Sequence, residues 1–260
     1  MNIKFRYMEL EEVASVLAWS AFMRDGVLPL SEGTFKLYPE VKKLINARII
    51  TKNMEYKDRI GVISKNIEEN YQKSLAEFQE YRILEHYQSI WNKYNDEYFK
   101  VLSNYFKVSI DNDVDAAIGL IPVCPRYIKN LSFYANGMND EKLIETCMHE
   151  CCHFYFFELC KKIFEKWEYT DFDSPSLLWY LSEISIDAIL NRDLFQKVFR
   201  YYFRAYNNFY DVFINNECIV DTIRNIFDTN DVEDAIKISL QYLEDNKDEF
   251  IRKCNGGKEL

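Results

Sequence analysis

With 260 residues, of which 48% are hydrophobic and 28% charged, the chain is long enough to bury one substantial core. Nineteen tyrosines and nineteen phenylalanines exclude a disordered chain, which lacks the apolar surface to order itself. The net charge of −10 excludes non-specific binding to nucleic acid or to an anionic membrane, because phosphate groups repel such a surface at long range.

Residues 1–7 show no apolar run behind their positive charges and do not read as a secretory signal. Ile3, Phe5 and Tyr7 alternate with polar residues, as in a short strand with one buried face. From Glu9 onward Leu10, Val13, Leu17 and Ala21 recur at helical spacing, and Asp25-Gly26 is expected to close that helix. The apolar run Val13 to Met23 is too short to span a bilayer. Residues 26–39 hold two glycines and two prolines and read as a loop, with Pro39 opening a second helix through Ile49.

No glycine or proline lies between Gly61 and Gly119. Ile67, Tyr71, Leu75 and Phe78, then Leu84, Tyr87, Trp91, Tyr94 and Tyr98, mark an amphipathic stripe on one or two long helices. His86 falls there and reads as a solvated helix residue. Three strands of a small sheet are expected next, at 106–110, from Ala116 to Val123, and from Leu131 to Ala135 before Asn136-Gly137. Asn139 or Asp140 caps a helix running to about Phe164. After the acidic connector Glu168 to Asp173, Ser174-Pro175 starts another helix, to about Leu190. Aromatic residues from Phe195 to Phe213 recur at helical spacing, and Val232 to Phe250 mark a final amphipathic helix. The tail from Cys254 to Leu260, with Gly256-Gly257, is expected to fray. No linker forces a split. The reading is one compact unit over 1–260, with a mainly helical region 1–105 and a mixed region 106–260. Seven cysteines, three of them within residues 147–152, fit reduced thiols in a cytoplasmic protein better than disulfides, and Cys151 and Cys152 read as core thiols.

The chemistry concentrates at Met148-His149-Glu150-Cys151-Cys152-His153, an H-E-x-x-H sequence that takes two of only three histidines. Four residues apart on a helix, His149 and His153 share one face and can bind a single metal ion, while Glu150 can reach a metal-bound water. A catalytic zinc keeps three protein ligands and one open position. With histidines nearly spent, the third is a carboxylate or a thiolate, and Glu183 on the following helix is the best candidate. Asp187, one turn further, is placed to accept the second ring N–H of a ligating histidine.

His149-Glu150-x-x-His153 followed by Glu183-x-x-x-Asp187 resembles the gluzincin class of zinc metallopeptidases, to which thermolysin belongs. The resemblance covers roughly residues 106–190. It implies a zincin-like α+β fold, mostly helical, with a small mixed sheet packed on the zinc-binding helix, and Leu131 to Ala135 as the edge that holds extended substrate. It also implies zinc bound by His149, His153 and Glu183, Glu150 as general base, Asp187 in support, and a peptide or protein substrate. Two departures stand out. The separation from His153 to Glu183 is longer than in thermolysin-like enzymes, and no histidine follows His153 to stabilise the tetrahedral intermediate. A tyrosine (Tyr180, Tyr202 or Tyr206) or an arginine must then supply that contact. The competing expectation is a zincin-shaped regulatory or protein-binding protein with little protease activity. Hydrolysis of a non-peptide amide is a third. The helical N-terminal region is free to cover a cleft or engage a protein partner.

Overall fold

A computed structural model describes residues 1–23, 30–137 and 139–254. The expected helix stop at Asp25-Gly26 and the Gly256-Gly257 tail lie outside the described residues. The fold is α+β and mostly helical, with one four-stranded mixed sheet and one two-stranded sheet. Contacts cluster into two units. A sheet unit comprises Asn2–Lys93 and Asp113–Thr146; a helical unit comprises Met1, Tyr94–Asn112 and Cys147–Leu260. The two interleave along the chain rather than meeting at residue 105.

In the sheet unit, β1 (Ile3–Tyr7) pairs in parallel with β2 (Val114–Gly119), and β2 in parallel with β4 (Ser132–Asn136). Val114 and Ala116 to Gly119 are buried, the near-continuous apolar run of an inner parallel strand. β3 (Arg126–Tyr127) adds antiparallel to the far side of β4. The expected substrate-holding edge is therefore not an edge. The chain after Pro125 folds back through a 3-10 turn at Ile128–Asn130, with Leu131 at φ 48°, and covers that side. The Tyr134 N–H donates to the Pro125 carbonyl at 2.9 Å.

The helices of this unit are α1 (Leu10–Ser20), α2 (Leu30–Leu37), α3 (Pro39–Asn46), α4 (Tyr56–Glu80) and α5 (Ile83–Trp91). Helix α2 occupies most of the expected loop. Its Thr34 hydroxyl bonds back to the Leu30 carbonyl and shares a buried 2.7 Å hydrogen bond with Ser20 of α1. Leu17, Val41, Ile63, Ile67 and Ile121 are fully buried in one apolar cluster, and burial of each such side chain stabilises by about 1.5–3 kcal/mol.

The helical unit holds α6 (Asn95–Phe106), most of α7 (Asp140–Ile163), α8 (Leu177–Leu190), α9 (Asp193–Gln196), α10 (Ile219–Thr229), α11 (Val232–Asp245) and α12 (Lys247–Cys254). The long stretch without glycine or proline is thus three helices. The first break falls where Arg82 takes left-handed backbone, φ 51°, the second at residues 92–94, and Lys107, φ 54°, ends the third helix. The strand expected at 106–110 is instead the end of α6 and a coil, the alternation marking only that Phe106 and Val108 are buried. The aromatic stripe from Phe195 is helical only through Gln196. It then runs without regular structure to a 3-10 turn at Asn207–Asp211, yet Phe195, Phe199, Phe203 and Phe209 are core. The final helix breaks in two at Asn246. A hairpin, β5 (Phe213–Ile214) and β6 (Glu217–Cys218), turns at Asn215-Asn216 with φ 52° and 68°, the left-handed pair that such turns need. Among the described residues no helix is long and apolar enough to cross a membrane. All seven cysteines are present as thiols.

Candidate metal centre

Helix α7 starts where the Asn139 Oδ1 accepts the Lys142 N–H at 2.9 Å, with Asp140 and Glu141 in the first turn and Lys161 and Lys162 in the last. That is the charge order its dipole favours. Every residue from Cys151 to Phe157 is buried, so this part of the helix is surrounded by core on all faces. A histidine there needs a polar counterpart. The His153 ring, fully buried, stacks on Phe157 at 6.3 Å and 24°, while His149 keeps 21% of its side chain exposed.

The counterpart comes from α8. Ser176 caps it, its Oγ accepting the Trp179 N–H at 3.0 Å, and every residue from Tyr180 to Leu190 is buried. Glu183, 2% exposed, places Oε2 at 3.3 Å from His149 Nε2 and 3.5 Å from His153 Nε2. The two Nε2 atoms are 2.8 Å apart. An ion with tetrahedral bonds of about 2.05 Å holds its ligand atoms about 3.3 Å apart, and a point about 2.05 Å from each of these three atoms lies about 0.8 Å out of their plane. His149, His153 and Glu183 can therefore hold a metal ion. Two imidazoles and one carboxylate suit divalent first-row ions in general.

Glu150 is buried beside this triangle in sequence. Burial pushes the Cys151 thiol well above its usual range, and nearby Cys147 and Glu150 add to that, which keeps it protonated rather than ligating. Tyr180 packs edge-on against Phe250 at 5.2 Å, and Tyr206 lies 5.9 Å from Phe209, ring to ring. Tyr202 is 69% exposed. His86 sits in the sheet unit, half-exposed, with Nε2 at 2.8 Å from Asp140 Oδ2.

Asp187 departs from expectation. It is 1% exposed, and its hydrogen bonds go to other residues than a histidine. Oδ1 accepts both Arg224 Nε (2.9 Å) and Nη2 (2.6 Å), and Oδ2 accepts the Tyr210 hydroxyl at 2.6 Å. A guanidinium outcompetes a neutral imidazole for a buried carboxylate because its N–H donors carry charge. Arg224 also donates to Asp221 at 2.6 Å. Burial first, then its bond to Asp187, pushes the Tyr210 phenol up to about 12. Tyr210 and Arg224 were missed because nothing in their local spacing marks a site. The one available signal was Asp221-x-x-Arg224, an i,i+3 pair on a helix that the sequence reading also missed.

No family model matches the chain, and neither a curated protein nor a solved structure shows significant similarity to it.

Proposed function

We propose that this chain is a zinc metallopeptidase of the gluzincin type, hydrolysing peptide bonds with Glu150 as general base. The observation that supports it most is the buried triangle of His149 Nε2, His153 Nε2 and Glu183 Oε2, with edges of 2.8, 3.3 and 3.5 Å. The donor set alone would serve several metals. Zinc is favoured by the position of Glu150, directly after the first ligand, as in H-E-x-x-H hydrolases. Bound there, zinc supplies a Lewis acid that polarises a carbonyl and lowers the pKa of a water toward ~7.

The protein's own residues do the rest. His149 and His153 offer neutral donors from adjacent turns, and Glu183 contributes the one negative charge. Glu150 takes the proton of the attacking water and delivers it to the leaving amine, a role contributing about 10²–10⁴-fold in rate. A second reading, a zinc-holding regulator that binds another protein, is favoured by the absence of any histidine after His153.

Metal analysis of the purified protein combined with a peptide-library digest tests both. Stoichiometric zinc with cleavage that is lost on chelation and in Glu150→Gln, while that variant keeps its metal, supports the peptidase. Zinc without cleavage turns the assignment to the regulator. Absence of zinc refutes both, and full activity in Glu150→Gln removes the general base.

A further inference from the structure

Helix α8 carries two buried carboxylates four residues apart. Glu183 faces the histidines, and Asp187 is tied to two other elements of the same unit, the 3-10 turn at Asn207–Asp211 through Tyr210 and helix α10 through Arg224. We infer that Arg224 and Tyr210 are positioning residues for the metal centre, pinning α8 through Asp187 so that the Glu183 carboxylate meets both imidazoles.

The inference rests on Glu183 being a metal ligand. A ligand atom must be held to about 0.5 Å and 10–20° to serve its ion. A side-chain oxygen about 6 Å from a helix axis moves roughly 1 Å when the helix turns by about 10°, so rotation of α8 alone would open the triangle. Three hydrogen bonds to Asp187, from two different elements, resist displacement of α8. Charge points the same way. Arg224 pairs with Asp187 at 2.6 Å, so that carboxylate is held by a cation of its own while Glu183 meets the two imidazoles. Without Arg224, a second buried negative charge would sit one turn away and draw α8 toward any other cation or water it could reach.

The test measures zinc affinity by chelator competition, and the visible spectrum of the cobalt-substituted protein, for wild type, Arg224→Met, Arg224→Lys and Tyr210→Phe. Each is held well below its melting temperature. Arg224→Met is expected to weaken zinc binding 10–100-fold, the range seen when outer contacts of a metal site are lost, and to alter the cobalt spectrum. Arg224→Lys restores the charge without the paired N–H donors and recovers part of the loss. Tyr210→Phe, a milder change, gives a smaller loss in the same direction. A role confined to stability would lower the melting temperature and leave affinity and spectrum unchanged, which overturns the inference. If Arg224→Met does not fold, Tyr210→Phe decides by the same criterion. Wild type that binds neither metal overturns the metal centre itself, a result distinct from any difference among variants.

Discussion

Replacing Glu183 with glutamine keeps the side chain's shape and removes the one negative donor of the triangle. Zinc sites worth about 10–16 kcal/mol over four ligands place roughly 2.5–4 kcal/mol on each, which is about 10²–10³-fold in affinity. Solvent cannot soften the loss, because Glu183 is only 2% exposed and its Oε2 lies within 3.5 Å of both Nε2 atoms. At zinc one hundred times the wild-type Kd, wild type gains about 2.7 kcal/mol of stability; a variant weakened by that factor gains about 0.4 kcal/mol or less. Chelator competition and melting curves with and without zinc read both effects. Glu158→Gln is the control, a residue of α7 paired with Lys161 at 2.9 Å. Zinc affinity in Glu183→Gln within threefold of wild type would refute Glu183 as a ligand.

Three further outcomes are expected. Asn139→Ala removes the Oδ1 acceptor for the Lys142 N–H and should cost about 1 kcal/mol in urea unfolding; no loss would show that the cap contributes nothing to α7. Tyr98→Phe deletes a buried hydroxyl that donates to the Met148 carbonyl, just ahead of the first histidine. It should destabilise by about 0.5–1.5 kcal/mol, and an unchanged midpoint would contradict that bond. Burial pushes Tyr155 and Tyr210 up to about 12, above the ordinary phenol range near 10. Their contribution to stability is complete below about pH 10 and is lost as pH rises through about 12. A titration followed at 295 nm should show a late phase that shrinks in Tyr210→Phe. Persistence of the whole phase there would remove Tyr210 from it.

What could be read in advance was whatever depends on near neighbours in sequence. The fourfold spacing of His149 and His153 is a statement about one helix, and α7 is that helix. Glu183 could be reached because, with histidines nearly spent, a carboxylate or a thiolate had to be the third donor, and Glu183 stood on the next helix. The partners of Asp187 are 23 and 37 residues away, and no local pattern encodes such a meeting. Elsewhere burial was legible while conformation was not. Phe195, Phe199 and Phe203 are core, but their helical spacing did not make a helix of residues 197–206, since tertiary contacts override a weak local preference. Asn215-Asn216 was an available turn signal and would have separated α10 from the aromatic stretch.

The uneven exposure of the three donors bears on how fast a metal is exchanged. His153 and Glu183 are closed to solvent, and His149 alone is partly open. A bulky chelator can approach one donor and cannot displace the other two in turn. Extraction then waits for a local opening of the protein, so its rate levels off as chelator concentration increases. Once the centre is loaded, retention is governed by the opening rate of the fold as well as by affinity.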